Sequence, residues 1–313
     1  MSCRRPVLAA ALSAIAISLV AAGCAKTPGA TPPPATTLPT TAAPTTTAAA
    51  ARGSGPVDVL YAGSLADAMQ KQIGPGFDTA TGYTFTGFSG DSGSLATEIS
   101  SKVQQGDVFI SANPMVNTRL EGAANGNWVS WYATWASSPL VLGYNPSSSF
   151  AADLKSKPWY EVLAEPNILI GRTDPTTDPK GALSVTALTN AATADSEPSL
   201  SAIATSTTNV YPENTLVGRL QAGQLDVGFF YAAEAAAAGI PTIPLTGQTL
   251  AAHYTITILS GAPHEAGAEA FVAYLLGAGA MPALTADGFT LVSPPTVMGT
   301  GVPTGLQSVL PGA

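Results

Sequence analysis

From residue 57 onward, short apolar runs of β-character alternate with segments of helical period, and this alternation narrows the fold more than any other feature of the chain. Residues 57–61 (VDVLY) read as a strand, and 65–73 follow as a helix with Leu65, Ala68, Met69 and Ile73 on one stripe. Then come a strand over 83–88, a helix over 95–103 and a strand over 107–111. A βαβαβ order needs crossover connections, which lay helices over a parallel sheet. A second series follows, with strands predicted over 140–144, 168–171, 227–231 and 255–259. Helices are predicted over 183–190, 215–222, 264–276 and 281–287. Two α/β series with no internal repeat predict two lobes with a cleft between them, one from 55–138 plus 250–313 and the other from 139–249.

The segment before residue 55 follows different rules. Arg4 and Arg5 precede an apolar run over 7–22 that ends abruptly at Gly23-Cys24. The run is short for a bilayer span, which needs about 20 apolar residues, and its flanks fit a cleaved export signal. Ala21-Ala22-Gly23-Cys24 resembles a lipobox, with Ala21 where leucine is usual. That resemblance implies a signal peptide over 1–24 and a lipid on Cys24 that anchors the chain to the cytoplasmic membrane. In 25–54, 24 of 30 residues are Ala, Thr or Pro, and Leu38 is the only large aliphatic one. Too little apolar area is present to offset chain entropy, so this stretch is expected to be a disordered spacer.

Charge and cysteine content exclude several functions. All twenty acidic residues lie after position 57, together with eight of the twelve basic ones, giving 57–313 a formal charge of −12. Nucleic acid is a poor partner for such a surface. The two cysteines, Cys3 and Cys24, both lie outside the α/β region, so that region has no disulfide and no cysteine metal site. No cofactor motif is present. Any anion site must work through locally aimed dipoles, against the field of the whole domain.

Four stretches carry candidate chemistry. In Ala62-Gly63-Ser64-Leu65 a strand meets a helix, with Gly63 suited to a tight turn and Ser64 at an N-cap position. The free N–H groups of such a turn outline an anion site, although a plain cap reads the same way. Ser89-Gly90-Asp91-Ser92-Gly93-Ser94 repeats the pattern, and parallel strands would bring both loops to one sheet edge. Asp91 suits an anion badly and is expected to point away. In Asp174-Pro-Thr-Thr-Asp178-Pro-Lys180-Gly181, each aspartate precedes a proline, and Lys180-Gly181 opens a helix. Phe229-Phe230-Tyr231 ends a strand, with the phenylalanines expected in the core and Tyr231 able to donate one hydrogen bond.

These stretches carry a resemblance. VLYAGSLADAMQ, GDSGSLATEI and DVFISAN are similar to the opening of molybdate- and tungstate-binding periplasmic proteins. KPWYEVLAEPNILIGRTDPTTDPKGALSVTAL resembles the tungstate/molybdate-binding branch, and LQAGQLDVGFFYAAEA and FVAYLLGAGAMPALTADGF fit it as well. The resemblance implies a type II periplasmic-binding-protein fold: two α/β lobes, each a mostly parallel sheet flanked by helices, joined by two crossing strands. It implies the substrate-binding component of an ABC importer, working with a membrane permease and not as an enzyme. It assigns oxyanion binding to Ser64, Ser92, Gly93, Ser94, the backbone near Lys180, Gly181 and Thr215, and the hydroxyl of Tyr231. In this branch two carboxylates can complete a six-coordinate metal centre. Asp178 matches one of them, but Phe230 stands where the other is usually Glu. The expectation is therefore a tetrahedral oxyanion held by neutral donors, with Asp178 as a turn residue or occasional ligand and Glu234 not substituting.

An MO₄ dianion has only acceptor lone pairs, which hydroxyls and amides satisfy. Phosphate carries a proton at neutral pH and wants an acceptor, so an all-donor site disfavours it. Another anion on the same fold (sulfate, thiosulfate, phosphonate or a small organic anion) is the rival reading, because fold does not fix ligand. Trp128, Trp131 and Trp135 are expected to pack as a helical or interlobe cluster. A hydrolase is disfavoured, since neither His253 nor His264 lies in a base motif and no G-x-S-x-G elbow is present. No His/Asp/Glu group has metal-ligand spacing along the chain. A surface adhesin would keep the two lobes without ligand-dependent closure.

Overall fold

The computed structural model describes residues 52–312. The export signal, Cys24 and all but the end of the proposed spacer lie outside these residues. Among the described residues, no helix is long and apolar enough to cross a membrane.

Nine strands among the described residues build the frame. In chain order they are β1 (Pro56–Ala62), β2 (Thr84–Gly90), β3 (Val108–Ser111), β4 (Trp131–Tyr144) and β5 (Ile170–Gly171), then β6 (Val227–Tyr231), β7 (Thr242–Pro244), β8 (Ala251–Ile258) and β9 (Thr290–Gly299). They connect in the order β2-β1-β3-β8-β4-β6-β5, with β7 and β9 alongside β4. β2, β1 and β3 run parallel, as do β5 and β6. The strands through the middle are antiparallel, because β4 and β8 carry the chain between the two α/β halves and back. The two-lobed α/β class expected from the sequence is the class observed.

β4 is the joint. Ala133 to Pro139 pair with β8, whereas Leu140 to Tyr144 pair with β6. The strand therefore changes partners at Pro139-Leu140, where Leu140 N donates to Leu250 O at 2.8 Å. Trp131 and Trp135 are buried on this strand and so do not form a helical cluster. Trp135 packs against Tyr254 and Phe289, each with ring centroids 5.9 Å away. Trp128 lies partly buried against a separate cluster of Leu60, Ile99 and Phe109.

The strand alternation read from sequence distributes the core. Val57, Val59 and Tyr61 face the main core, while Leu60 packs with Leu95 and Phe109 on the other side. In β6, Phe229 and Tyr231 face the main core and Phe230 packs with Leu216 and Leu220 behind it. Both phenylalanines are core residues, as expected.

One buried polar tie holds the edge opposite the serine loops. Asp107 is fully buried. It accepts from Asp58 N and His264 N at 2.7 Å each, and sits 3.0 Å from His264 Nδ1. It thus joins β1, the start of β3 and the start of the helix Glu265–Leu276. Asp107→Ala leaves two backbone N–H groups without their acceptor, at roughly 1–3 kcal/mol each. We expect a loss of about 3 kcal/mol, measured as a lower urea midpoint at unchanged m-value.

Candidate functional site

The loop after β1 enters a 3-10 turn over Gly63–Leu65. Ser64 does not cap it. It lies within the turn, buried, and its Oγ accepts from the Tyr254 hydroxyl at 3.1 Å. A side chain at Gly63 would place its Cβ 3.0 Å from Glu213 Oε2 and 3.1 Å from Glu213 Cβ. Gly63 thus lets Glu213, 150 positions along the chain, approach this turn.

The loop after β2 opens helix α1 (Ser92–Ser100). Ser92 is fully buried, and its Oγ accepts from Ala112 N at 3.2 Å. Gly93 N donates to Thr177 O at 2.8 Å, and a Cβ at Gly93 would come within 2.5 Å of that carbonyl. The Gly93 N–H is therefore spent on a contact across the lobes. Ser94 is half-buried one position further on. Asp91 does not point away: its Oδ2 accepts from Thr177 Oγ1 at 2.8 Å and its Oδ1 from Glu213 N at 3.0 Å. Both donors lie after β4 in the chain, so this carboxylate ties the two α/β halves at their seam.

Across the seam, Asp178 caps helix α2 (Pro179–Ala194). Its Oδ1 accepts from Lys180 N at 2.8 Å, Gly181 N at 3.1 Å and Thr173 Oγ1 at 2.7 Å. The backbone donors expected at Lys180 and Gly181 are consequently occupied by the protein's own carboxylate. Asp178 Oδ2 is buried with no hydrogen-bond partner. Thr215 does not join the site. It is exposed in helix α3 (Glu213–Gln221), with its hydroxyl donating to Pro212 O at 3.0 Å.

Lys180 is the centre of the arrangement. Its side chain is 0% exposed, and Nζ donates to Glu234 Oε1 at 2.7 Å and Oε2 at 2.8 Å, with Glu213 Oε1 at 3.3 Å. Glu234 lies in helix α4 (Ala232–Ala237), where its Oε2 also accepts from Tyr231 N at 3.2 Å. The phenol of Tyr231, at the end of β6, is fully buried and its hydroxyl has no partner. Its ring meets Tyr254 edge-on at 6.0 Å. Ser64 and Lys71 on one side and Glu213, Val217 and Glu234 on the other line a groove of about 200 Å³.

Electrostatics follow from burial. Burial raises the carboxyls of Asp178, Glu213 and Glu234, and Lys180 only partly reverses this. Glu213 is raised most plainly, by burial and then by the Asp178 charge, which favours its protonated form. Burial alone would lower Lys180, but Glu234, Glu213 and Asp178 outweigh it and hold the ammonium above its ordinary value. Burial pushes the Tyr231 and Tyr254 phenols well above 10.0, so both stay hydrogen-bond donors. Ser64 and Ser92 each accept one bond at Oγ and keep a proton to donate.

The site is therefore not made of neutral donors alone. Four carboxylates and the buried ammonium of Lys180 stand beside the hydroxyls. Sequence reading missed Glu213 and Tyr254, and it named Glu234 only to set it aside. Glu213 lies two residues before the predicted helix over 215–222 and carries no motif of its own. The signal for Glu234 was its place three residues after Tyr231, where a glutamate reaches back to the N-cap amide.

Two α/β lobes joined by a strand that changes partners, with serine-bearing turns facing charged groups across the seam, define a two-lobed binding protein of the periplasmic type. The chain belongs to the bacterial extracellular solute-binding protein family, whose profile matches residues 57–290. An uncharacterized solute-binding protein of Halobacterium salinarum is 31% identical over 250 residues, covering 70% of this chain and 79% of that one. A molybdate/tungstate-binding protein of Thermococcus kodakarensis is 24% identical over 225 residues, covering 55% of this chain and 64% of that one. The chain thus matches less than two thirds of that relative's length. The periplasmic molybdate-binding protein of Azotobacter vinelandii superposes with a TM-score of 0.60 at 23% identity, covering 75% of this chain and 99% of that one.

Proposed function

We propose that this protein captures a tetrahedral oxyanion of the molybdate or tungstate class in the seam between its lobes and delivers it to the permease of an ABC importer. The lobes in this reading are 55–138 with 250–313, and 139–249. Cys24 carries a lipid anchor, and 25–54 is the tether that holds the domain outside the cytoplasmic membrane.

The observation that carries the reading is the Tyr231 hydroxyl, fully buried without a partner. It stands beside the buried ammonium of Lys180. A buried donor without an acceptor is costly, and an anion oxygen is the acceptor it lacks. Ser64 and Ser92 supply two further hydroxyl protons, and Lys180 supplies charge that the neutral-donor expectation lacked. The names of the Thermococcus and Azotobacter proteins support the choice of metal oxyanion. Ser94 stands nearby as an outer donor. The N–H groups of Gly93, Lys180 and Gly181 are engaged within the protein and would serve only after rearrangement.

One observation favours a second reading. Asp178 Oδ2 is a buried acceptor whose one neighbouring donor is the Glu213 carboxyl when that group is protonated. A protonated oxyanion, such as hydrogen phosphate or a phosphonate, would supply another donor. Isothermal titration of the protein with molybdate, tungstate, sulfate and phosphate separates the two. Heat from the first two alone supports the proposal, and heat from phosphate alone supports the alternative. In the proposed site, Ser64→Ala and Ser92→Ala each remove one bond to a charged group, and each is expected to weaken binding roughly 10- to 100-fold. Wild-type affinity in both variants would overturn the site.

A further inference from the structure

The seam has two openings of unlike charge. The groove beside Ser64 is walled by Asp67, Glu213 and Glu234, and the cation on its wall, Lys71, is tied to Asp67 at 2.9 Å. A second cavity, of about 110 Å³, lies where Gly93 and Arg119 of one α/β half face Thr177 and Asp178 of the other. The one carboxylate on its wall is Asp178, which is 2% exposed and accepts three hydrogen bonds at Oδ1. This cavity adjoins the inner groups: Gly93 follows the buried Ser92, and Asp178 caps the helix that carries Lys180.

Arg119 gives the second opening its charge. It is exposed, just beyond the short helix Pro114–Asn117 that follows β3. A Cβ at Gly93 would stand 3.0 Å from its Nη1, so the guanidinium rests against the loop that presents Ser92. Among the described residues this side chain has no hydrogen-bond or ion-pair partner. Of Lys180, Lys71 and Arg119, only Arg119 is free, since Glu234 holds the first and Asp67 the second. Two bonds between the halves bar the way past it, Gly93 N to Thr177 O and Thr177 Oγ1 to Asp91 Oδ2, at 2.8 Å each. Each is one hydrogen bond of modest net strength, which parts when the halves separate.

The local field decides between the openings. Residues 57–313 carry a formal charge of −12, which opposes a dianion on every approach. The Ser64 groove adds carboxylates to that opposition, whereas the second opening offers an unpaired cation. A charge on the rim acts mainly on the rate of encounter and on its salt dependence. We infer that the oxyanion enters the seam through the second opening, steered by Arg119. A dianion ~10 Å from a unit charge in water is enriched about 4-fold, and reversing the sign of that charge squares the factor to about 16-fold. A Debye length of ~8 Å at 0.15 M salt reduces the 4-fold factor to less than about 2-fold.

This inference rests on the proposed oxyanion reading, and its test separates the two. Molybdate association and dissociation are followed by stopped-flow tryptophan fluorescence at low salt, with calorimetry reading the same factor as a rise in Kd. Arg119→Gln is expected to slow association about 4-fold and Arg119→Glu about 16-fold, with dissociation changed less than about 2-fold. Both losses are expected to fade at ~0.15 M salt. Lys102→Gln removes the same charge beyond the far end of α1 and is expected to keep the wild-type rate. Because Arg119 is exposed and unpaired, its variants are expected to unfold at the wild-type temperature. Wild-type association in Arg119→Glu would overturn the entrance and leave oxyanion capture standing, as would a loss confined to dissociation. Equal slowing by Lys102→Gln would reduce the effect to net charge, and greater slowing by Lys71→Gln would move the entrance to the Ser64 groove; either overturns the inference. No molybdate heat from the wild type would sink the oxyanion reading itself, and this inference with it.

Discussion

Lys180→Met is expected to destabilise the ligand-free protein by about 3–5 kcal/mol at neutral pH and to remove measurable oxyanion binding. The side chain is 0% exposed and is the only ammonium among Glu234, Glu213 and Asp178. Methionine fills much the same volume, so the loss is electrostatic rather than a cavity. Deleting one member of a buried ion pair strands the partner charge, which costs far more than the intact pair contributes. The pH dependence has a definite sign. Lys180 is raised above its ordinary 10.5 in the fold, so its contribution is complete below that value and disappears as pH rises through the higher folded value. The carboxyls are raised too, so in Lys180→Met their burden is relieved toward 4.5 and grows with increasing pH. Guanidinium unfolding in metal-free buffer, repeated from the carboxylate range to above pH 8, measures this. Wild-type stability in the variant throughout that range would show that a packed methylene chain does as well as the ion pair.

The alternation that dictated two α/β lobes was legible because buried parallel strands are nearly continuous apolar runs. VDVLY, DVFIS and VGFFY declare themselves, and all three lie in the sheet. The first half of β4 did not. Trp131 to Pro139, where a helical or interlobe tryptophan cluster was expected, is held as a strand by β8 on one side and β9 on the other. β9 was hidden by Pro294 and Pro295, which an outer strand tolerates where a central one does not. The serines were legible as residues at strand-to-helix turns. Their surroundings were not, because Glu213 meets Gly63 across 150 positions of chain, a contact that no local pattern reports. Asp91 was misread for the same reason: considered alone it opposes an anion, while in the fold it ties Thr177 and Glu213 N across the seam.

Tyr231→Phe is expected to move stability and binding in opposite directions. The Tyr231 hydroxyl is fully buried with no partner, so the ligand-free protein has desolvated it without compensation. Removing it is expected to stabilise that form by about 1–3 kcal/mol, since the phenylalanine ring keeps the edge-on contact with Tyr254. The same oxygen is the donor assigned to the oxyanion. Its loss removes a charge-assisted bond worth roughly 1.5–3 kcal/mol, or about a 10- to 150-fold weaker affinity. Thermal unfolding without ligand and calorimetry with molybdate measure the two halves separately. A variant that unfolds at a higher temperature yet binds more weakly identifies Tyr231 as a group left unsatisfied until the anion arrives. Loss on both measurements would assign it an ordinary packing role and move the anion site toward Ser64 and Ser92. The separation matters because a purely structural residue cannot make the empty protein more stable by its absence while making the loaded one less so.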